Sequence, residues 1–234
     1  MRVVVVCLTD DPFDPPGEGG HGGSHRFICD LGRHLVRQGI RVTFVTRLDH
    51  PQKPDRDVLG SYADLHRLAV GPVEVLPYYD VAAHLTSLAS RLAELAGGWS
   101  LSDEDRVVSY NWISGEAVLR CEAFPCPHIH YVLALGRARL QRGEDTDKVS
   151  ELWLACEDRL FRHASFLVVP ARSEREDMLA LYEGIDPRNV SVVPNGLDLG
   201  TFQPRPRPLA DFVRGAADGF RQGAVDVVHK PGDP

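Results

Sequence analysis

A run of glycines near the N-terminus is the first stretch that could do chemistry, because bare backbone N–H groups suit a phosphate. Taken literally, Gly17, Gly19 and Gly22 satisfy the dinucleotide fingerprint G-x-G-x-x-G. That fingerprint must begin where a strand ends, yet about eight residues, including three prolines, separate the first predicted strand from Gly17. We therefore interpret Gly22 and Gly23, followed by Ser24 as the N-cap of a helix, as a phosphate-facing loop. A flexible loop before an ordinary helix start is the open alternative.

Three arginines follow a strand predicted over residues 128–132, at the carboxyl edge where open α/β sheets bind ligands. The guanidinium forks of Arg137, Arg139 and Arg142 suit phosphate or carboxylate groups, so ligand contact is one interpretation of this cluster. Trp112, at the end of another predicted strand, is placed to stack on a sugar ring, although a core tryptophan fits the sequence equally well. The alternative for the arginines is a solvated loop that pairs them with neighbouring acids, namely Glu144, Asp145 and Asp147.

Cys121, Cys126, His128 and His130 are residue types that bind zinc, but C-x4-C-x-H-x-H is not a well-attested zinc-finger spacing. The two histidines lie two residues apart in a predicted strand, so they share one face of it. We therefore favour buried thiols and strand histidines, and we expect no metal site. No G-x-S-x-G elbow follows a predicted strand, which sets a serine hydrolase aside.

Composition and charge narrow the class of protein. The chain has 234 residues, of which 43% are hydrophobic and 25% charged, as in an ordinary globular domain. Its 26 basic and 33 acidic residues give a net charge of −7, so no basic footprint indicates nucleic acid. No apolar run approaches the ~20 residues that cross a bilayer, and Val3–Val6 is predicted as a first strand rather than a signal peptide. Five scattered cysteines indicate reduced thiols, so we expect a cytoplasmic protein.

Apolar runs alternate with segments of helical periodicity along most of the chain. This alternation predicts an α/β fold, with a single Rossmann-like, doubly wound and mainly parallel sheet that carries helices on both faces. The strands are predicted over residues 2–8, 42–46, 73–76, 106–109, 128–132, 166–170 and 190–193. The helices are predicted from Gly23 to Gly39 and over residues 85–95, 113–121, 147–163 and 173–182.

The segment Val192-Val193-Pro194-Asn195-Gly196 marks the end of the sheet, because Pro194 cannot continue a ladder and Asn-Gly tolerates positive φ. Phe202-Gln203-Pro204 follows, and 30 residues remain after it. We predict one domain over residues 1–204 and a C-terminal tail over residues 205–234, with one amphipathic helix and a frayed end. A second domain of this kind would need on the order of 150 residues, so we expect it to be absent from this chain.

Several of these segments together resemble the N-terminal domain of retaining GT-B glycosyltransferases. In that family V-P-N-G-[VL]-D…F-x-P closes the first Rossmann-like domain, and residues 192–204 are similar to it. Residues 109–115 resemble the family's H-S-H-Y-W-x-S-G segment, and residues 135–137 resemble the end of its H-S-L-G-R loop. Among the members of that family, the sequence resembles the sucrose-phosphate synthases and the N-acetylglucosaminyltransferase that begins mycothiol synthesis. Further matches are Gly22-Gly23, Glu157 and Tyr182-x-x-x-Asp186-Pro187, so the resemblance spans about residues 2–204.

The resemblance implies an acceptor domain whose partner domain holds most of a nucleotide-sugar. The cleft between such domains transfers the sugar with retention and without a metal. The implied cosubstrate is the nucleotide-sugar, with no other cofactor, and the implied acceptor is a small sugar or polyol. The resemblance places Gly22, Gly23 and Ser24 against the donor phosphates. The residues that it places on the acceptor side are His25, Tyr110, Asn111, Trp112, Arg137 and Arg139.

The chain departs from this family where the family does its chemistry. Leu133 stands at the position of the loop histidine that lies against the transferred sugar, and leucine can neither donate a hydrogen bond nor carry charge. Tyr110 and Asn111 replace a histidine and a tyrosine, and the asparagine that often follows the glycine pair is replaced near His25. The catalytic residue therefore stays unassigned.

Three hypotheses follow from the sequence. The first is the acceptor-side half of a split glycosyltransferase, whose donor domain lies on a separate chain. A homo-oligomer formed through the exposed cleft face is a related expectation. The second is a degenerate, non-catalytic accessory or sugar-phosphate-binding protein, and the third is a gene fragment without a function of its own.

Overall fold

The computed structural model describes residues 1–9, 11–14, 23–144 and 148–196, and an eight-stranded sheet forms its centre. Across the sheet the strand order is β3-β4-β2-β1-β5-β6-β7-β8, and each neighbouring pair is parallel except β3 with β4. The strands are β1 (Arg2–Val6), β2 (Arg41–Arg47), β3 (Arg56–Gly60), β4 (Ala63–Leu68), β5 (Arg106–Tyr110), β6 (His128–Tyr131), β7 (Phe166–Val169) and β8 (Val190–Val192). The helices are α1 (Gly23–Arg37), α2 (Tyr78–Val81), α3 (Leu85–Gly97), α4 (Asn111–Cys121), α5 (Gly136–Arg142), α6 (Glu151–His163) and α7 (Arg172–Leu181).

The central strand β1 is covered on both faces. Val3, Val4, Val5 and Val6 are all buried, with exposures of 5% or less. Val4 and Val6 pack in one apolar cluster with residues of α3, α4 and α6, whereas Val3 and Val5 pack in another with residues of α1. A continuous apolar run of this kind is typical of a parallel strand between two helical layers. The predicted α/β fold, with a mainly parallel sheet and helices on both faces, is confirmed.

The direction of winding reverses at β1. This strand pairs with β2 on one side and with β5 on the other. From β1 the chain moves outward through β2 to the β3–β4 hairpin, then returns to β5 and continues outward to β8. In an open α/β sheet, ligands bind in the crevice outside the carboxyl ends of the strands at such a reversal. A ligand site is therefore expected where β1 and β5 end.

The prediction of a strand over residues 73–76 is wrong. That stretch is irregular, and Val73 and Val75 are 40% and 55% exposed. The alternating V-E-V-L pattern imitates a half-buried strand, but prolines at both ends remove N–H donors from a ladder. The buried Arg47 instead donates to the backbone carbonyls of Pro72, at 2.7 Å, and Glu74, at 2.6 Å. The outer edge of the sheet is formed by the β3–β4 hairpin. Neither of its strands was predicted, because their charged residues interrupt the apolar pattern of a strand.

Residues 136–142 form the helix α5, which was not among the predicted helices and which excludes the alternative of a loop for the three arginines. The other predicted helices and strands occur within a few residues of their expected bounds. No helix among the described residues is both long and apolar enough to span a membrane. The predicted tail over residues 205–234 lies outside the described part of the chain, so its division from the domain stays a prediction.

Candidate functional site

The turn from β5 into α4 is held in an unusual backbone conformation. Asn111 has a φ of +60°, a left-handed value that asparagine tolerates better than most residues. Its side-chain oxygen accepts a hydrogen bond from the Ser114 N–H at 3.0 Å, and its amide nitrogen donates to Thr9 Oγ1 at 2.9 Å. The Leu8 N–H donates to Ser114 Oγ at 2.9 Å. These contacts fix the end of β5 against the segment that follows β1.

A cavity of about 290 Å³ lies beside this turn. It takes residues from the segments that follow β1, β5 and β6, so it stands at the reversal in the winding of the sheet. We call it the β1–β5 cavity. Its lining residues are Cys7, Ile28, Tyr78, Tyr79, Tyr110, Asn111, Trp112, Leu133, Ala134, Arg139 and Trp153.

Aromatic rings dominate one part of this lining. The Trp112 and Trp153 rings are stacked, with centroids 5.9 Å apart and planes inclined by 14°. Tyr78 lies edge-on to both tryptophans at 6.4 Å, and Tyr79 lies 6.4 Å from Trp153. Such faces bind flat or apolar surfaces of a ligand, as aromatic side chains do in many small-molecule sites. The sequence marked only Trp112 for this role, because the other three rings come from distant segments.

Three buried polar atoms of lining residues have no hydrogen-bond partner among the described residues. Two of them are the Tyr110 hydroxyl and the Trp112 indole nitrogen, on side chains that are 0% and 4% exposed. Burial raises the pKa of Tyr110 well above its usual value, so its hydroxyl stays protonated. Buried polar groups are rarely left unpaired, so these two atoms are candidates for hydrogen bonds with water or with a ligand. The Trp153 indole nitrogen is a weaker case: its N–H lies near the Glu157 carboxylate and helps to lower the pKa of that group without satisfying hydrogen-bond geometry.

Glu157 fixes the turn that precedes α5. Its carboxylate accepts hydrogen bonds from the Gly136 N–H, at 3.0 and 3.2 Å, and from the Tyr182 hydroxyl. Burial raises the pKa of Glu157 to about 7, against the opposing effect of these donors. A Cβ at Gly136 would lie only 3.0 Å from Glu157 Oε2, so the close approach favours glycine there. Glu157 therefore fixes the position of the first residue of α5, and with it the position of the helix that carries the three arginines.

The three arginines of α5 are not brought together at one site. Arg139 lines the β1–β5 cavity and also an adjoining recess of about 110 Å³. Arg137 instead donates to Asp158 at 2.7 Å, and its guanidinium lies 5.1 Å from the centre of the Tyr182 ring. Arg142 pairs with Asp177 at 2.7 Å. Arg137 and Arg139, two residues apart on α5, point to different sides of the helix, whereas Arg139 and Arg142, three residues apart, both line the adjoining recess.

Leu133 also lines the cavity, where it is 39% exposed. Its side chain supplies apolar surface at the position where the resemblance implies a histidine. Gly22 lies outside the described residues, and α1 begins at Gly23, so the predicted phosphate-facing loop stays a prediction. Nothing is described of the side chains of Ser24 and His25, but Ile28 on the same helix lines the cavity.

A buried ion-pair network, which sequence reasoning missed, fixes the segment between β1 and the glycine loop. Asp11 Oδ2 accepts a hydrogen bond from Arg67 Nε at 2.7 Å, and Lys53 Nζ lies 3.4 Å away. Burial opposes ionisation of Asp11, but hydrogen bonds from the Phe13 N–H and Arg67 hold its pKa below the usual value. Lys53 also pairs with Asp14 at 2.6 Å. No sequence signal connects these residues, because the pairing spans up to 56 positions.

His128 and His130 share one hydrogen-bonding partner. Ser109 Oγ lies 2.7 Å from His128 Nε2 and 2.8 Å from His130 Nδ1, and all three side chains are buried. Cys121 and Cys126 are free thiols in the apolar cluster around α4. Among the described residues, no three His, Cys, Asp or Glu side chains are grouped as metal ligands. Burial lowers the pKa of His128 to about 4 and that of His130 well below its usual value, so both rings are neutral at pH 7.

The sequence matches the family described as glycosyl transferase 4-like domain over residues 22–196. Among curated proteins, it is 28% identical to a D-inositol 3-phosphate glycosyltransferase of Corynebacterium efficiens over 207 residues, which cover 87% of this chain and 48% of the relative. A protein of the same name from Xylanimonas cellulosilytica is 31% identical over 208 residues, with 87% of this chain and 49% of the relative covered. The chain thus spans about half the length of these relatives.

Among solved structures, the sucrose-phosphate synthase of Thermosynechococcus elongatus is similar in fold. The TM-score is 0.78 at 20% sequence identity, and the match covers 87% of this chain and 50% of that structure. At this identity the likeness concerns the fold alone, and it agrees with the sheet and helices described above.

Proposed function

Because this chain belongs to the glycosyl transferase 4-like domain family, we propose that it is the acceptor-binding half of a sugar-nucleotide-dependent glycosyltransferase. The observation that carries the proposal is the β1–β5 cavity, which lies at the reversal of the sheet and buries two unpaired polar atoms. A donor-binding domain on a separate chain would close the other side of the cleft. A second copy of this chain at the same cleft face is an alternative partner.

The lining residues suggest a division of tasks during binding. The aromatic rings hold an apolar face of the acceptor, and the Arg139 guanidinium, the charged group of the lining, attracts an anionic substituent. The Tyr110 hydroxyl and the Trp112 N–H donate hydrogen bonds to acceptor oxygens. The first turn of α1, with Gly23 and Ser24, would meet the donor phosphates, since a helix N-terminus attracts anions.

The lining residues bind and orient the acceptor, whereas the partner domain would hold most of the donor, with only its phosphates reaching the first turn of α1. Leu133 supplies no proton and no hydrogen bond, so we assign no catalytic residue to this half. None of the five cysteines, all of which lie in the described part of the chain, forms a disulfide, which is compatible with a cytoplasmic location that we also propose.

Complementation in trans tests this function. The full 234-residue chain would be mixed with a separately produced donor domain of a D-inositol 3-phosphate glycosyltransferase, and nucleotide release from UDP-sugars would be measured with a panel of acceptors. We expect acceptor-dependent release only in the mixture, with a loss of about tenfold or more for Arg139→Ala. Arg142→Ala, which removes an arginine paired outside the β1–β5 cavity, is the matched control. If no mixture with a donor domain shows turnover, and a pull-down with the chain finds no partner, the proposal is wrong.

A non-catalytic, ligand-binding role is the second candidate, and Leu133 favours it. Restoring the histidine with Leu133→His separates the two ideas in the same mixture. If turnover appears only in the variant, the natural chain is a binding protein derived from an enzyme. If the natural chain already supports turnover, the hypothesis of a non-catalytic role is wrong.

A further inference from the structure

We infer that Arg47, the last residue of β2, is a positioning residue for the β1–β5 cavity, because it fixes the segment that carries Tyr78 and Tyr79 into the cavity wall. Arg47 is not one of the described residues that line the cavity. It acts through the backbone of residues 72–74, which we call the Arg47-bound segment. The inference rests on the proposed function in one respect, since it treats this cavity as the acceptor site.

One buried guanidinium group holds the Arg47-bound segment. Arg47 is 3% exposed, and its Nη1 donates to the carbonyl oxygens of Pro72, at 2.7 Å, and Leu48, at 3.1 Å. Its Nη2 donates to the Glu74 carbonyl oxygen at 2.6 Å. Burial lowers the pKa of Arg47, whereas the charges of Asp49 and Glu74 oppose this effect, and an arginine keeps its charge in proteins. A buried charge needs its hydrogen bonds, so displacing these carbonyl groups is costly.

The side chains around the Arg47-bound segment do little to fix it. Residues 71–75 are all exposed, and the backbone over residues 72–77 is irregular. Val73 and Val75, the apolar residues there, are 40% and 55% exposed. A segment that buries so little apolar surface is held through its backbone, and the guanidinium of Arg47 binds that backbone from the side of the sheet.

The Arg47-bound segment leads directly into the wall of the cavity. The helix α2 begins at Tyr78, four positions after Glu74. Pro77 precedes it with a φ of −52°, and a proline ring restricts this angle. Beyond the two tyrosines, Val81 is fully buried in the apolar cluster that contains α3 and α4 residues. Tyr78 and Tyr79 therefore lie between two fixed points, the carbonyl groups bound by Arg47 and the buried Val81.

The two tyrosines cover the tryptophan pair of the cavity. Tyr78 lies edge-on to Trp112 and Trp153 at 6.4 Å, and Tyr79 lies 6.4 Å from Trp153. Both tryptophans are 4% exposed. Movement of α2 away from them would open this wall and expose the indole rings to solvent. Arg47 thus sets the shape of the aromatic wall without contacting its rings.

Quenching of tryptophan fluorescence by acrylamide tests the inference without any transfer reaction. The full 234-residue chain would carry Trp99→Phe, so that the emission comes from Trp112 and Trp153, the other two of its three tryptophans. Tyr79→Ala opens the wall directly and shows the size of the response. We expect Arg47→Met to raise the quenching constant towards that of Tyr79→Ala. Amide hydrogen exchange over residues 76–82 should become roughly tenfold faster or more, as expected when hydrogen bonds from a charged group are lost.

A conservative variant and a matched control separate positioning from a general loss of stability. Arg47→Lys keeps the charge but lacks the planar fork, so its quenching constant should lie between those of the parent chain and Arg47→Met. Arg175 also donates to carbonyl groups, those of Val190 at 3.2 Å and Pro187 at 3.0 Å, but outside the cavity. Arg175→Met should lower the stability in urea and leave the quenching constant unchanged.

The inference is wrong if Arg47→Met is folded and its tryptophans are quenched no more than those of the Trp99→Phe parent. Circular dichroism verifies folding. If Arg47→Met does not fold, Arg47→Lys decides the question, and a quenching constant equal to that of the parent overturns the inference.

Failure of this inference and failure of the proposed function give different results. If the Arg47 variants change the quenching but no donor domain produces transfer, the positioning role stands and the function falls. If the trans mixture is active and the Arg47 variants leave the quenching unchanged, the function stands and the positioning role is wrong. In an active mixture, Arg47→Lys should raise the KM for the acceptor by about threefold to tenfold and change kcat less, because it alters binding.

Discussion

The Tyr131 hydroxyl lies 2.9 Å from Asn195 Oδ1 and 3.0 Å from the Val193 carbonyl oxygen, and it can donate its proton to either. Tyr131 is the last residue of β6, and its ring contacts Phe27 of α1 and Tyr110 of β5, with centroids 4.8 and 5.4 Å away. One buried side chain thus connects the Val-Pro-Asn segment after β8 with the strand end at the β1–β5 cavity. The segment that ends the sheet is therefore packed as part of the domain that carries the sheet.

Tyr131→Phe removes this connection while it keeps the aromatic ring. We expect the free energy of unfolding in urea to fall by about 1 kcal/mol, the usual cost of one lost hydrogen bond. Amide hydrogen exchange over residues 193–196 should become faster. Tyr62→Phe, at an exposed tyrosine, is the control and should change neither quantity. Unchanged exchange at residues 193–196 in Tyr131→Phe would contradict the proposed anchor.

Asn111 is predicted to be more sensitive to alanine than to glycine. Asn111→Ala loses the contacts with Thr9 and Ser114 and leaves a side chain at φ +60°, so stability should fall by about 2–3 kcal/mol. Asn111→Gly loses the same contacts without the backbone strain and should recover roughly 1 kcal/mol of this.

Glu122, exposed with φ +51° at the end of α4, provides the comparison. Glu122→Gly removes strain without the loss of a described contact, so it should raise the stability by about 0.5–1 kcal/mol. Equal stabilities of Asn111→Ala and Asn111→Gly in urea denaturation would show that backbone strain at Asn111 is negligible.

Gly136→Ala should disturb α5. The new Cβ would lie 3.0 Å from Glu157 Oε2 and from Leu154 Cδ2, so one of these groups must move. We expect a loss of about 1–3 kcal/mol in unfolding free energy, as in other overpacked sites, and weaker ligand binding because Arg139 shifts with the helix. Gly97→Ala has open space around the added methyl group and should be neutral or stabilising. Wild-type affinity and stability in Gly136→Ala would refute the role assigned to the Glu157 contact.

His128 is expected to make the protein sensitive to acid. Its pKa is about 4 in the folded protein, against 6.5 for the free side chain, so the unfolded chain binds more protons between these values. Stability supplied by the neutral ring is present above about pH 6.5 and is lost as the pH falls towards 4. The loss at pH 5 relative to pH 7.5 is about 2 kcal/mol.

The contribution of Glu157 to stability has the opposite pH dependence, so it must be separated from the contribution of His128. Its folded pKa of about 7 lies above the ordinary value, so its contribution is present at low pH and is lost as the pH rises through 7. The measurement is therefore the difference in unfolding free energy between the natural chain and His128→Gln, at pH 7.5 and at pH 5. The advantage of the natural chain should shrink by about 2 kcal/mol at pH 5. An advantage that does not depend on pH would show that His128 is not buried as a neutral ring.

Much of the fold could be predicted from local patterns in the sequence. The run Val3–Val6, the helical periodicity that ends at Gly39 and the proline that follows Val193 each follow from short-range chemistry, and each has its counterpart in the structure. The segment at residues 73–76 shows the limit of such reasoning. Its alternation is strand-like, but Arg47, far away in sequence, captures its carbonyl groups and holds it as a loop.

The residues of the candidate site could be predicted only in part from the sequence. Tyr110, Asn111, Trp112 and Arg139 were predicted, and the structure places all four around one cavity. Arg137 was predicted with them but is engaged by Asp158, because helical geometry points it away from Arg139. The rings of Tyr78, Tyr79 and Trp153 were not found, since aromatic residues at those positions are equally typical of a core.

The sequence by itself determined the class of fold and the family, because these depend on residue types and short-range spacing. The tertiary structure alone decided which side chains share the β1–β5 cavity, which arginine faces it, and which polar atoms inside it lack partners. Those properties depend on contacts between segments up to about a hundred residues apart, as between Thr9 and Asn111. Local propensities carry no record of such contacts, since they form only when the strands and helices pack.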